Sequence, residues 1–345
     1  MPHIKTIHLK NFTCFKDLKV ENIGKINFVF GANGCGKTWF LRAIDLLCNY
    51  QESLSKNETS KSTFASSILN IINDTYFFAS FFKKNAEIKE VVSKLSYFFN
   101  DKDYSIESDF QKITRKDIGE RLSKFEDREI RRYPGRFTIR RLDEMDIQEY
   151  IEFNTKALYV HNESYWKDFI FNLIDKIGND RAFKDKILNN IIKKFFPDCT
   201  DIASTRESIN MFLEGHEEPM SISLCGYGFK RMITYYYLST LNKDGTIVID
   251  EVDNGLHFDK YKLSFETLTK SSKENNTQMF LSSHSPSYCK AFFEYIIENK
   301  LENDVNIIGL LKNKFGEITL RNMKTPQEAL DNIENYSENN PFKIV

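Results

Sequence analysis

Cysteine is scarce in this chain, with six in 345 residues, and none forms a CxxC pair. Cys14, Cys35, Cys48, Cys199, Cys225 and Cys289 are scattered along its length. That pattern argues against a disulfide framework and a structural zinc site, and it suits a reducing cytosol, so a cytoplasmic protein is expected. Long apolar runs are also missing: nothing approaches the roughly 18 residues a membrane helix needs. The N-terminus runs straight into a strand pattern, with no secretory signal expected. Neither sign of charge dominates, with 48 Lys and Arg against 49 Asp and Glu. Nothing global therefore marks a nucleic-acid binder, while a local basic patch stays open. Internal repeats and low-complexity tracts are absent.

Strand and helix patterns alternate along the chain, which predicts an α/β sheet in one large domain or two modest ones. "HIKTIHLKNFTCF" (3–15) and "GKINFVF" (24–30) read as two strands opening one sheet. Thr38 to Tyr50 has helical spacing in Leu41, Ile44 and Leu47. From Gln51 to about Tyr150 the chain turns polar, with helical stretches such as "IKEVVSKLSYFF". This predicts a mainly helical inserted lobe over residues 51–154, between core segments 1–50 and 155–345. Ala157–Asn162, "GTIVIDE" and "QMFLSSHS" read as strands, and "VNIIGLLKNKFGEITL" as a hairpin. Trp166 to about Pro197 reads as helical, and a helix from Thr325 to Tyr336 is expected to be capped by Thr325-Pro326.

The first chemical signal is Gly31–Thr38, GANGCGKT, which fits GxxxxGK[ST] between a strand and a helix. Backbone N–H groups from Asn33 through Gly34, Cys35, Gly36 and Lys37 to Thr38 would face phosphate oxygens at a helix N-terminus. Glycine at 34 and 36 lets the backbone come close and take positive φ. Lys37 would reach the β- and γ-phosphates, and the Thr38 hydroxyl one Mg²⁺ position. A glycine turn with a solvated lysine is the bland alternative, and the strand–turn–helix context disfavours it.

The second signal is "TIVIDEVDNGLH", a buried strand with Asp250 and Glu251 at its C-terminal end, where ligands sit in open α/β sheets. Asp250 would hold Mg²⁺ and Glu251 would polarise an attacking water. The third is His284 in "FLSSHS", placed to sense a γ-phosphate. The fourth is "SLCGYGFKRM", where glycines open a helix carrying Lys230 and Arg231 and form a second anion-facing turn. Ser223, Cys225, Gly226 and Gly228 are its candidate residues. One ATP needs one cradle, so the second is expected to face the ATP of another subunit.

This order of motifs resembles the ATP-binding-cassette ATPases of the SMC/RecF/OLD group. "LKNFTCF" and "IDEVDNGLH" look most like the OLD-type branch and its anti-phage relatives. The resemblance covers about residues 1–50 and 155–320. It implies an ABC-ATPase head with ATP and Mg²⁺ sandwiched in a head-to-tail homodimer or higher oligomer. Leu224, Cys225 and Gly226 match the family's Leu-Ser-Gly signature, with Gly228 beside them. Asn254–His257 match the loop after the acidic strand, and His284 matches the switch histidine. "LYVHNE" resembles the strand that brings a glutamine to Mg²⁺, which would make Asn162 the third metal residue, with Gln148 as its rival. Cysteine for serine at 225 and asparagine for glutamine at 162 imply slow hydrolysis, or ATP binding as the working state.

Between Asn162 and Ser223 there is no sustained heptad, so an SMC-type arm is not expected. Nor does the stretch after Ser285 carry the clustered acids of a Toprim nuclease. The resemblance thus implies a switch and scaffold of a bacterial anti-phage system of the PARIS or Septu kind, controlling a separately encoded Toprim or HNH nuclease. A RecF-like DNA-repair ATPase that clamps DNA is the alternative. "REIRRYPGRFTIRR" (Arg128–Arg141) has six arginines in fourteen residues, interleaved with Tyr133 and Phe137. It suits nucleic acid, a protein partner such as a phage trigger, or a solvated β-ribbon.

Overall fold

A computed structural model of the chain describes residues 3–55, 85–87, 105–109, 112–114, 116–117, 128–133, 136–141, 157–160, 164–205, 208–323 and 325–334. Strands β1 (Ile7–Phe12), β2 (Phe15–Val20) and β3 (Ile26–Phe30) lead into helix α1 (Lys37–Ser55). Then come β4 (Asn85–Glu87), β5 (Ser105–Ser108), β6 (Lys112–Thr114), β7 (Arg128–Tyr133) and β8 (Arg136–Arg141). Strand β9 (Ala157–Val160) precedes helices α2 (Ser164–Asn179) and α3 (Arg181–Ile187). Next are β10 (Cys199–Ser204), β11 (Ile209–Leu213), β12 (Met220–Ser221), helix α4 (Tyr227–Leu241) and β13 (Thr246–Ile249). The described chain closes with α5 (Tyr261–Glu274), β14 (Gln278–Ser283), α6 (Pro286–Glu298), β15 (Val305–Lys312), β16 (Ile318–Asn322) and α7 (Pro326–Glu334).

The central sheet has the order β16-β15-β3-β14-β13-β9. Its strands from β15 to β9 run parallel, and β16 adds an antiparallel edge. Every residue of β3, β13 and β14 is buried, as expected of parallel strands covered on both faces. Successive side chains point to opposite faces. Val29, Val248 and Phe280 therefore join α1 and β1–β2 in one core cluster. Phe28, Phe30, Ile247, Ile249, Met279 and Leu281 join α4, α5 and α6 in the other. The fold is mixed α/β.

Several expectations need correction. The strands at 3–15 and 24–30 do not share a sheet. β1 folds back through Thr13–Cys14 onto β2 and belongs to an antiparallel sheet of order β2-β1-β5-β6. Alternation in "IHLKNF" suits a sheet with one solvated face, whereas "INFVF" is a uniformly buried run.

Segment 51–154 is not wholly a separate lobe either. β5 pairs with β1, β6 pairs with β5, and Ile106 and Ile113 are 0% exposed within the same cluster as Ile7 and Leu9. The rest of the segment's described strands form a sheet of order β4-β7-β8, in which Arg128 pairs with Arg141 and Glu129 with Arg140. Its described elements are thus mainly strands, and the helix expected at 88–99 lies outside the described residues.

The helical run after Trp166 is broken at Asp180, whose carboxylate accepts the Phe183 N–H and caps α3. A π-helical turn, Leu188–Ile192, follows. The expected C-terminal helix is there, with Thr325 Oγ1 accepting the Glu328 N–H at 3.1 Å. Among the described residues, no helix is long and apolar enough to cross a membrane.

Candidate nucleotide site

Strands β3, β14 and β13 are neighbours and parallel, so the loops after their C-terminal ends converge. The loop after β3 carries Gly34 at φ 77° and Gly36 at φ 85°. A Cβ on Gly34 would meet nothing within 4 Å, which leaves that side of the loop open to a ligand. On Gly36 it would lie 2.8 Å from Cys14 Sγ and 3.0 Å from the Phe15 ring, so the turn is seated on the β1–β2 hairpin. Lys37 is 7% exposed, and its ammonium donates to the Gly31 and Ala32 carbonyls, both at 2.9 Å.

Thr38 Oγ1 donates to Asp250 Oδ2 at 2.7 Å, joining the start of α1 to the end of β13. Asp250 is 2% exposed, and its other oxygen accepts the Ser282 hydroxyl from β14. Ser282 Oγ in turn accepts the Glu251 N–H at 3.0 Å. Glu251 sits at φ 49°, a left-handed conformation that costs a non-glycine residue about 1–3 kcal/mol. Its carboxylate is 41% exposed, and Oε1 lies 3.8 Å from His284 Nδ1, itself on a 40% exposed ring. The two adjacent acids are thus separated in role: Asp250 is buried and hydrogen-bonded at both oxygens, while Glu251 faces the open side beside an imidazole.

The turn before α4 differs in part from expectation. Leu224 is 79% exposed, and Ser223 is exposed with its hydroxyl 2.6 Å from that of Ser221. Gly226 is the N-cap of α4, with open space around it. Cys225, however, is packed into the core, and that burial pushes its thiol pKa up. The outward hydroxyl of this turn is therefore that of Ser223.

Lys230 and Arg231 make hydrogen bonds within the fold. Lys230 Nζ donates to the Ser223 carbonyl at 2.6 Å. Arg231 is 6% exposed and donates to Tyr235 Oη at 2.6 Å, the Asn254 carbonyl at 3.1 Å and the Asp250 carbonyl at 3.4 Å. Its role is to tie α4 to the loop after β13. Gly228 packs against the same loop, where an added Cβ would lie 2.5 Å from the Gly255 carbonyl oxygen. Asn162 and Gln148 lie outside the described residues.

Sequence spacing missed Ser282 and the internal use of Arg231. The only signal for the former is a pair of serines, Ser282 and Ser283, ending a buried strand directly after the apolar run Met279–Leu281.

The residues present fit a nucleoside triphosphate with Mg²⁺. An open glycine loop at a helix N-terminus suits phosphate. A hydroxyl and a carboxylate in contact are oxygen donors for a hard cation that keeps waters and phosphate oxygens as its other ligands.

A family model described as "AAA domain, putative AbiEii toxin, Type IV TA system" matches residues 26–289, from β3 into α6, and so contains the four motifs. A Helicobacter pylori protein named "ATP/GTP phosphatase" is 20% identical, covering 89% of this chain and 92% of that protein. Two solved structures also match at 15% identity. One is an SMC head domain from Thermotoga maritima, with a TM-score of 0.45 over 93% of this chain and 99% of that one. The other is an SMC head bound to the C-winged helix domain of ScpA, with a TM-score of 0.49 over 96% and 100%. The family match runs across well over half of the sequence, and the chain belongs to this family of AAA-domain ATPases.

Proposed function

We propose that the chain is an ATP-hydrolysing switch that pairs head to tail with a second copy and controls a separately encoded effector nuclease in bacterial anti-phage defence. The observation that carries the ATPase part is the division of labour between Asp250 and Glu251. Asp250, hydrogen-bonded at both oxygens, lies against Thr38, and these two would hold Mg²⁺, with Asn162 as the proposed third residue. Bound Mg²⁺ would neutralise charge on the phosphates. Glu251, half-buried and near His284, would orient a water and accept its proton, and His284 would contact the γ-phosphate. Ser223 and the backbone of Leu224 and Gly226 would approach the nucleotide of the second copy, with Gly228 seating the helix behind them.

The defence role draws on the resemblance to OLD-type ATPases and on a family description that names a toxin of a toxin–antitoxin system. ATP occupancy gives such an assembly two states, and an effector is held or released by its different affinity for them.

Calorimetry and phosphate release test the enzymatic core. Lys37→Ala should lose ATP binding, and Glu251→Gln should bind ATP like the parent while turnover stops. Hydrolysis at the parent rate by Glu251→Gln would move the base elsewhere. For the effector, co-expression with the protein encoded next to this one should give a co-purifying complex. Nuclease activity of the purified chain alone, abolished by Glu251→Gln, would overturn the scaffold role.

A further inference from the structure

We propose that Ser282 is a positioning residue for the hydrolytic step, setting the directions of both Asp250 and Glu251. The assignment rests on the ATPase reading above. Ser282 is 0% exposed on β14, one strand away from the two acids at the end of β13, and its side chain is the hinge between them. A serine hydroxyl has one proton to give and lone pairs to receive. Here the proton goes to Asp250 Oδ1, and a lone pair takes the Glu251 N–H at 3.0 Å. The neighbouring backbone is pinned as well, since Val252 N donates to the Ser282 carbonyl at 2.9 Å.

Two consequences follow from this polarity. With Oδ1 engaged, Asp250 presents Oδ2 to Thr38 at 2.7 Å, which fixes the plane of the carboxylate on the side where the cation would sit. The second concerns Glu251, whose φ of 49° is one that glutamate seldom adopts. Strained backbone of this kind persists only when its surroundings hold it. The bond from Glu251 N–H to the buried hydroxyl is such a hold, and it sends the Glu251 side chain outward towards His284. One hydroxyl thus couples the cation-side acid to the water-side acid.

Replacing Ser282 with Ala removes a donor from a buried carboxylate and an acceptor from a buried N–H, while leaving every group proposed to touch ATP in place. ATP affinity measured without divalent cation should stay within about 3-fold of the parent, because the glycine loop and Lys37 are untouched. Turnover at saturating ATP should fall about 100-fold, the scale of a catalytic group displaced by an ångström. The Mg²⁺ concentration for half-maximal turnover should rise about 10-fold, as expected if about one hydrogen bond to a charged group is lost. Ser282→Thr, which restores the hydroxyl, should recover both Mg²⁺ dependence and rate to within about 3-fold. A merely structural role would lower the melting temperature without this split between nucleotide affinity, Mg²⁺ dependence and turnover. If Ser282→Ala is insoluble, Ser282→Cys, which keeps the volume and weakens the donor, carries the same expectation. Parent-like turnover and Mg²⁺ dependence in Ser282→Ala would overturn the proposal, and so would failure of Ser282→Thr to rescue. Lys37→Ala run in parallel separates the two readings: if it still binds ATP, the nucleotide site itself is misassigned.

Discussion

Lys37 ties its own loop together, because its ammonium holds the Gly31 and Ala32 carbonyls. In the proposed site, a triphosphate would compete with those two carbonyls for the same ammonium. This site was legible because its chemistry is contiguous: eight successive residues, Gly31–Thr38, carry the whole cradle. Ser282 and Arg231 were not, because their partners are remote in sequence. Ser282 meets Glu251 across 31 positions, and Arg231 meets Asn254 across 23.

Glycine gives a residue-scale test of the α4 contact. Gly228→Ala would place a methyl 2.5 Å from a backbone oxygen of Gly255 and 3.1 Å from Leu256 Cδ2. The helix or the loop must shift, at a cost of about 1–3 kcal/mol. Gly226→Ser meets open space at an ordinary φ of −60° and supplies a favoured N-cap side chain, so it should be at least as stable as the parent. Denaturant unfolding of both variants reads the difference. Equal stabilities would mean that α4 does not depend on its close approach to Gly255.

At the scale of elements, hydrophobic period carried the central sheet and failed at its neighbour. The buried runs of β3, β13 and β14 are legible as parallel strands because uniform burial on two faces leaves an uninterrupted apolar run. β2, with its pattern "FKDLKV", was masked by the turn at Thr13–Cys14. The short β5 and β6 lie in a polar stretch whose composition gave no sign of core membership. Pairing partners so distant in sequence leave no local trace. The meander β10-β11-β12 was missed for a related reason, since its strands alternate weakly and directly follow a long helical run.

The structure therefore expects Ile113→Ala to act as a core mutation although it falls within segment 51–154. Ile113 is 0% exposed in the cluster that also holds α1, and such truncations cost about 2–5 kcal/mol. A change of less than about 0.5 kcal/mol in chemical unfolding would return β6 to a separate lobe. The same packing means that deleting residues 54–150 would remove Ile106 and Ile113 and leave one edge of β1 unpaired, so such a deletion cannot test the lobe in isolation.

At the scale of the whole molecule, two large apolar side chains stand in solvent near the loops that would meet a second copy. Leu224, in the turn before α4, is 79% exposed, and Phe258, just after the loop Asp253–His257, is 71% exposed. Burying such a side chain fully contributes about 1.5–3 kcal/mol, so the pair on each of two subunits is a substantial share of a nucleotide-driven contact. ATP supplies the rest only while it remains unhydrolysed, which is why Glu251→Gln, expected to bind and not turn over, is the background for the test. In light scattering with ATP and Mg²⁺, Glu251→Gln should associate, and it should be monomeric without nucleotide. Adding Leu224→Asp and Phe258→Asp should keep it monomeric with ATP still bound, because four carboxylates would then have to be desolvated at the contact. Association that survives both changes would place the interface on another face. A Glu251→Gln protein that binds ATP and stays monomeric would remove the head-to-tail pair, and with it the purpose assigned to Ser223 and Gly226.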